Sequence, residues 1–286
     1  MTKRFNSALE FEQIFPQSDV PIMSIGTSHL LQAFARPDLE LDQLPTILER
    51  SPTIAAKLLA LANSAWSAPA SPITRLDSAC ARLGLNVVRS VGVALAVSSP
   101  FNTSRCPNFH AGQFWARTLL IAEATTLLIP CITPPPAIDI GTARTAALFH
   151  NLGLLFLVHH FHQETNQAFL RKQANGDLVL DELLRETLGI AANDAANLLA
   201  KKWHLPDVLA ATMKAYQDTQ YQGDEWPTVA SVGLAVTAVS GIETQGSISS
   251  PQHPYLSLDS FKIEPITSQL LRAQVAINQL AQSIRW

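Results

Sequence analysis

The chain has 286 residues, of which 47% are hydrophobic and 15% charged, a composition typical of a folded globular protein. Its net charge of −3, without a basic cluster denser than Lys201-Lys202, gives no electrostatic reason to expect nucleic-acid binding, which needs a concentrated basic face. The three cysteines (Cys80, Cys106 and Cys131) are odd in number and far apart, which argues against a disulfide framework and a zinc site.

No targeting segment is expected. Residues 1–5 are followed by polar and acidic residues rather than by the apolar stretch of a secretory signal. The longest apolar runs, near residues 91–97 and 119–129, are interrupted well short of the ~20 residues needed to span a bilayer. We therefore expect a cytoplasmic protein that does not cross a membrane.

Apolar residues recur with helical spacing along the first part of the chain. Ser51-Pro52 is a typical helix start, Asn63 closes that helix, and Gly84 stands in the usual position just past the end of another. Asn86 is predicted to cap the helix that follows Gly84. The helices predicted in this part of the chain cover residues 28–36, 44–50, 52–62, 73–83 and 86–97.

Residues 98–112 are predicted to form a loop between two helical halves. Beyond it, helices are predicted over residues 113–128, 142–161 (capped by Thr142), 163–203 in two or three pieces, 206–215, 229–239 and 266–284. Residues 241–262 are predicted to be a long loop. The predicted fold class is all-α, with residues 1–99 as an N-terminal helical subdomain and residues 100–286 as a second subdomain that includes a C-terminal helix.

Four segments carry recognisable motifs. In chain order they are a helix that begins at Ser51-Pro52, contains Lys57-Leu58-Leu59 and ends at Asn63-Ser64-Ala65; a helix from Ile73 to Leu83 followed by Gly84 and Val87-Val88; the apolar run Ala147 to Leu155 with His150, Asn151 and Gly153; and Leu198-Leu199 followed by Trp203, Leu205 and Pro206. Their order and spacing over about residues 20–240 resemble the HDOD family, a bacterial signalling domain related to the HD phosphohydrolases.

The resemblance implies an HD-domain-like helical bundle with a regulatory role. Catalytic HD proteins use an upstream His, a His-Asp pair and a distal Asp to hold one or two divalent metals that activate water. At the corresponding positions this chain has Arg117, His150 followed by Asn151, and Val236-Thr237, with Ala192 and Ala215-Tyr216 where further histidines are expected. Because one imidazole cannot replace about three protein ligands, the resemblance implies neither metal nor cofactor and no enzyme activity.

Several readings of these residues stay open. His150 is most simply a core histidine that hydrogen-bonds a neighbour. Alternatively, Arg117, His150 and Asn151 form a vestigial polar pocket that binds a nucleotide or another small ligand. A third reading is a metal-dependent phosphohydrolase with a rearranged site. Asn63, Ser64, Gly84, Gly153, Trp203 and Pro206 are interpreted as structural residues of the family motif.

The resulting hypothesis is a stand-alone, non-catalytic signalling protein from a bacterial cytoplasm that acts on a protein partner. His159-His160-x-His162 places two imidazoles on one helix face, but no carboxylate or Cys joins them, so a solvated helix end is the simpler interpretation. Trp226 and Trp286 are candidate exposed interface residues.

Overall fold

The computed structural model describes residues 4–16, 18–36, 38–133, 136–248, 253–254, 256–284 and 286. The predicted all-α class is confirmed, since the only strands in this part of the chain are the two-residue segments β1 (Ile132–Thr133) and β2 (Ser257–Leu258), which pair antiparallel. The helices of the first part are α1 (Ala8–Ile14), α2 (Ile25–Phe34), α3 (Leu44–Leu48), α4 (Pro52–Ala62), α5 (Leu76–Leu83) and α6 (Leu85–Ser98).

The second part of the chain contains longer and more deeply buried helices. They are α7 (Ala111–Leu128), α8 (Ile140–Phe149), α9 (Leu152–His160), α10 (His162–Ala174), α11 (Leu180–Leu188), α12 (Ala192–Lys202), α13 (Asp207–Ala215), α14 (Trp226–Gln245) and α15 (Ser260–Gln282). α7 packs against α8, α14 and α15, and α9 packs against α12. One continuous apolar core joins residues of both parts of the chain.

Gly84 turns the chain between α5 and α6. Its φ of 81° lies in the region that favours glycine, and the two helix axes meet there at 108°. The prediction that Asn86 caps α6 is wrong, because α6 begins directly after Gly84 and Asn86 lies in its first turn.

The long helix predicted from Thr142 to Phe161 is in fact two helices, α8 and α9, separated at His150-Asn151. Thr142 is not the cap, because the Asp139 side chain accepts the Thr142 amide N–H at 2.6 Å and begins the helix instead. The sequence pattern does not reveal the break, because apolar residues flank His150-Asn151 on both sides and neither position is Gly or Pro.

The loop predicted over residues 241–262 is shorter than expected at both ends. α14 continues to Gln245 and ends at Gly246, which adopts the left-handed conformation with φ 68°. α15 already begins at Ser260, where the Asp259 carboxylate accepts the Phe261 amide N–H at 3.1 Å.

The N-terminal helix α1 packs on the second half of the chain. Phe11 and Phe15 contact Phe156 at ring-centroid distances of 6.1 and 5.2 Å, and Glu12 forms an ion pair with Lys201 at 2.7 Å. The predicted division into residues 1–99 and 100–286 stays a prediction. Although α1 precedes residue 99, its side chains contact Phe156 and Lys201, which belong to the second predicted subdomain.

The motif residues Asn63 and Ser64 close α4. The Asn63 amide donates to the carbonyls of Leu59 (2.9 Å) and Ile73 (2.8 Å) and accepts the Ile73 N–H (2.8 Å), while the Ser64 hydroxyl donates to Leu61 O. One amide side chain therefore joins the end of α4 to the segment that leads into α5.

Trp203 and Pro206 form the corner between α12 and α13. The Trp203 indole N–H donates to the carbonyl of Pro21 at 2.7 Å, and its ring lies 5.9 Å from that of Phe101. The Pro206 carbonyl accepts the N–H groups of Leu209 and Ala210 and so begins α13. This corner attaches the second half of the chain to the segment before α2.

Among the described residues, one stretch, Ala111–Cys131, is long and apolar enough to cross a membrane. The helices α5 and α6 together would be a second candidate only if the bent pair counted as one span. In the most apolar part of Ala111–Cys131, 67% of the residues are buried inside the fold. Core helices have this composition, so no membrane span is indicated.

Gly153 allows α9 to approach α12 closely, and this contact gives a stability prediction. A Cβ atom at residue 153 would stand 1.8 Å from the Ala192 carbonyl oxygen and 2.8 Å from the Ala196 nitrogen. Because backbone must move to make room, we expect Gly153→Ala to lower the free energy of unfolding by about 3 kcal/mol in urea titrations. Gly176→Ala is the control, since no atom lies within 4 Å of the added carbon; equal stability of the two variants would contradict the proposed contact.

Candidate functional site

The candidate site is centred on His150, at the end of α8. The side chain is buried with 4% exposure, and Nδ1 lies 2.5 Å from the carbonyl oxygen of Ala147 one turn earlier. Its ring meets the ring of Tyr216 edge to face at a centroid distance of 4.9 Å. His150 is therefore enclosed by its own helix and by the end of α13.

The surroundings of His150 favour the neutral imidazole. Burial, with a smaller contribution from the positive charge of Arg117, lowers its pKa from 6.5 to about 4 against the opposing effect of the Ala147 carbonyl. A hydrogen-bonded, neutral core histidine agrees with the simplest of the sequence interpretations.

Arg117, on α7, is the cation that faces this region. Its guanidinium donates to the Ser240 hydroxyl at 2.8 Å and forms an ion pair with Glu243, both on α14. Its charge therefore has a carboxylate partner within the chain, and the guanidinium joins α7 to α14.

Asn151 follows His150 directly and begins α9, and its side chain makes no hydrogen bond with any residue of the described chain. A cavity of about 370 Å³ beside Arg117 is lined mainly by polar residues of α7, α14 and α15, and neither His150 nor Asn151 lines it. The structure places Arg117 near His150. The assignment of Arg117, His150 and Asn151 to one vestigial pocket stays a prediction.

The remaining positions expected to carry metal ligands have other surroundings. Ala192 is buried, and its carbonyl faces Gly153. Thr237 is exposed and donates to the Gly233 carbonyl of its own helix at 3.1 Å. No group of three or more His, Cys, Asp or Glu side chains with a geometry suited to a metal ion occurs in the ranges that the structure describes.

α9 ends at His160 as expected, but the interpretation of this helix end as solvated is wrong. Both rings are half-buried, and burial lowers both pKa values, that of His160 to about 4. His159 Nδ1 accepts the Asn102 N–H at 2.9 Å, and His160 packs between Phe15 and Phe156. Because α1 covers this end of α9, the imidazoles contribute to packing rather than facing solvent.

The candidate interface tryptophans are also less exposed than expected. Trp226 is half-buried and packs at a small apolar cluster around Ile132 and Leu234. Trp286 stacks on the buried Trp115 at 5.4 Å and donates to the Ala281 carbonyl. Neither is a free aromatic surface.

Sequence reasoning missed Ser240 and Glu243, the partners of Arg117. They were missed because the predicted helix stopped at Val239 and placed them at or beyond its end. The signal that would have found them is Gly246, a typical helix-end glycine that extends α14 past both residues.

The buried, neutral His150 predicts how stability depends on pH. Since its folded pKa is about 4 and its unfolded value is near 6.5, the unfolded chain binds more protons in this interval. Stability is therefore fully present above pH 6.5 and is lost as the pH falls towards 4, with a slope of about 1.4 kcal/mol per pH unit from this one group.

The measurement is the urea unfolding free energy at several pH values from 7 to 4. His150→Gln should make the slope shallower, although part of it remains because His160 titrates in the same direction. Replacing the exposed His110 by Gln is the control. A slope unchanged by His150→Gln would contradict this account of the site.

The fold resembles three solved structures. A signal transduction protein candidate from Marinobacter aquaeolei VT8 matches with a TM-score of 0.78 and 18% identity over 93% of this chain, which spans 60% of that protein. An HDOD domain protein of unknown function from Geobacter sulfurreducens matches with TM-score 0.71, 19% identity and 96% of both chains. A phosphohydrolase candidate from Shewanella amazonensis SB2B matches with TM-score 0.68, 16% identity, and 97% and 98% coverage of the two chains.

At these identities the solved structures show a shared fold alone. No curated protein matches the chain. Residues 21–219, more than half of the chain, match the HDOD domain. The chain therefore belongs to the HDOD domain family.

Proposed function

We propose that this chain is a non-catalytic regulatory protein of a bacterial signalling pathway, which acts in the cytoplasm by binding a protein partner. The observation that carries the proposal is the ion pair of Arg117 and Glu243 beside His150. A permanent cation stands where the related phosphohydrolases are expected to place a metal-binding histidine.

The chemistry around His150 supports the same conclusion. A catalytic metal needs about three protein ligands and an open position for water. With Nδ1 at the Ala147 carbonyl, His150 can offer a single ligand atom, Nε2, and the neutral amide of Asn151 supplies no charge to balance a divalent ion. The Arg117 guanidinium would repel such an ion, so the remaining groups do not favour its binding.

The names of the related structures point to both candidate functions. The Marinobacter protein is named as a candidate in signal transduction, whereas the Shewanella protein is named as a candidate phosphohydrolase. The second name keeps a metal-dependent phosphohydrolase as the rival function. Because Arg117 is satisfied by Glu243 and Ser240, a nucleotide sensor centred on Arg117 is the weaker alternative.

The first test is turnover. We expect the purified protein to release no p-nitrophenol from bis(p-nitrophenyl) phosphate with Mn²⁺ or Mg²⁺ added, and to bind neither ion in calorimetry. The rival function is supported instead if turnover appears and His150→Gln removes it. A related phosphohydrolase with an intact His-Asp pair, assayed under the same conditions, serves as the positive control.

The second test separates regulation from catalysis in cells. In a strain that lacks the gene for this protein, we expect the wild-type protein and Asn151→Ala to restore the transcript profile equally. A scaffold that binds a partner does not need the His150-Asn151 pair for its function. Asn151 is half-buried and its side chain makes no hydrogen bond in the described chain, so this change leaves packing largely intact. Failure of Asn151→Ala, with normal protein levels, would contradict a non-catalytic role.

A further inference from the structure

A cavity of about 310 Å³ lies between α2 and α4, away from His150. Arg50 and Lys57 line it, together with apolar groups and with hydroxyl groups that include those of Ser51 and Thr53. No Asp or Glu contributes to this lining in the described chain. The cavity therefore combines two positive charges and hydroxyl groups without a compensating Asp or Glu side chain.

Lys57 lies at the cavity without a carboxylate partner in the described chain. Several others, among them Arg36, Arg75, Arg117, Arg144 and Lys201, form ion pairs with carboxylates. Lys57 is half-buried on the second turn of α4 and has neither an ion pair nor a hydrogen bond with a described residue. Burial lowers its pKa, as expected for an ammonium group that has lost water without gaining an anion.

A second cavity, of about 360 Å³, adjoins the first, and Lys57 and Ser99 line both. Its walls are uncharged polar groups of residues 102–104 and aromatic rings, including those of Phe101 and Trp286. No Asp or Glu lines this cavity in the described part of the chain either. The two cavities provide a cationic compartment and an adjoining polar and aromatic one.

We propose that the two cavities bind a phosphorylated small molecule, with the phosphate between Arg50 and Lys57 and the organic part in the compartment that Trp286 lines. Charge complementarity favours an anion, because Arg50 and Lys57 have no carboxylate partner in the described chain and, with the hydroxyls of Ser51 and Thr53, can donate to phosphate oxygens. The backbone adds to the match, since the amide groups of Gly26 and Thr53 have no hydrogen-bond acceptor in the described chain.

The position of the two cavities connects ligand binding to the packing of the first helices. α2 and α6 pack together, and α4 packs on α6, so a ligand between α2 and α4 bears on the contacts that hold the first helices together. None of the residues involved belongs to the region around His150. The inference and the proposed function can therefore be tested separately. Absence of ligand binding would say nothing about catalysis, and turnover would say nothing about ligand binding in these cavities.

The test is calorimetry at low salt with two probes, AMP and inorganic phosphate. We expect AMP to bind with a Kd below about 1 mM and more tightly than phosphate. Lys57→Gln and Arg50→Gln should each weaken AMP binding by about tenfold or more, whereas Lys57→Arg retains the charge and should stay within about threefold. Lys214→Gln, which removes an exposed lysine of α13 outside the cavities, should change nothing.

Three results would overturn the proposal: no binding of either probe at about 5 mM, equal binding by wild type and both Gln variants, or an equal loss in Lys214→Gln. Equal affinities for AMP and phosphate would overturn the assignment of the second compartment. Arg50 is exposed, so Arg50→Gln keeps the test decisive if Lys57→Gln does not fold. Unchanged melting temperatures without ligand show that the variants are folded.

Discussion

The close approach of α9 to α12 is the constraint on which the HD-like half depends. The hydrogen atom of Gly153 fits where any side chain would collide with the backbone of Ala192. This approach fixes the direction of α9, and α8 must therefore end just before it, at His150-Asn151. The break places His150 in the interior, against Tyr216, and leaves Asn151 at the beginning of the next helix.

In the second part of the molecule, the carboxylate of Glu243 balances the positive charge of Arg117. A metal site joins several helices because a cation attracts ligands from each of them. Here a guanidinium on α7 binds a carboxylate and a hydroxyl on α14, so a cation again joins separate helices, but it is covalently part of the chain. Neutral His150 avoids a second positive charge close to that of Arg117. The proposed non-catalytic role rests on this arrangement.

Local signals made much of the helical pattern predictable. Ser51-Pro52, Asn63, Gly84 and the 3.6-residue apolar period act within a few residues, so their effect can be read without a structure. The break at His150-Asn151 could not be predicted this way, because its cause is the contact of Gly153 with a helix about forty residues later. The docking of α1 escaped prediction for the same reason, since Phe11 and Phe15 find their partners around residue 156.

The sequence by itself determined the all-α class, the family motifs and the residue types at Arg117, Asn151 and Thr237, where the family resemblance predicts metal ligands. These are properties of residue identity and short-range spacing. Only the tertiary structure decided that Arg117 pairs with Glu243, that the imidazoles near residue 160 are covered by α1, and that Lys57 lines two adjoining cavities without an Asp or Glu in the described chain. Each of these facts depends on charges and rings brought together from distant parts of the chain, and periodicity carries no information about such distances.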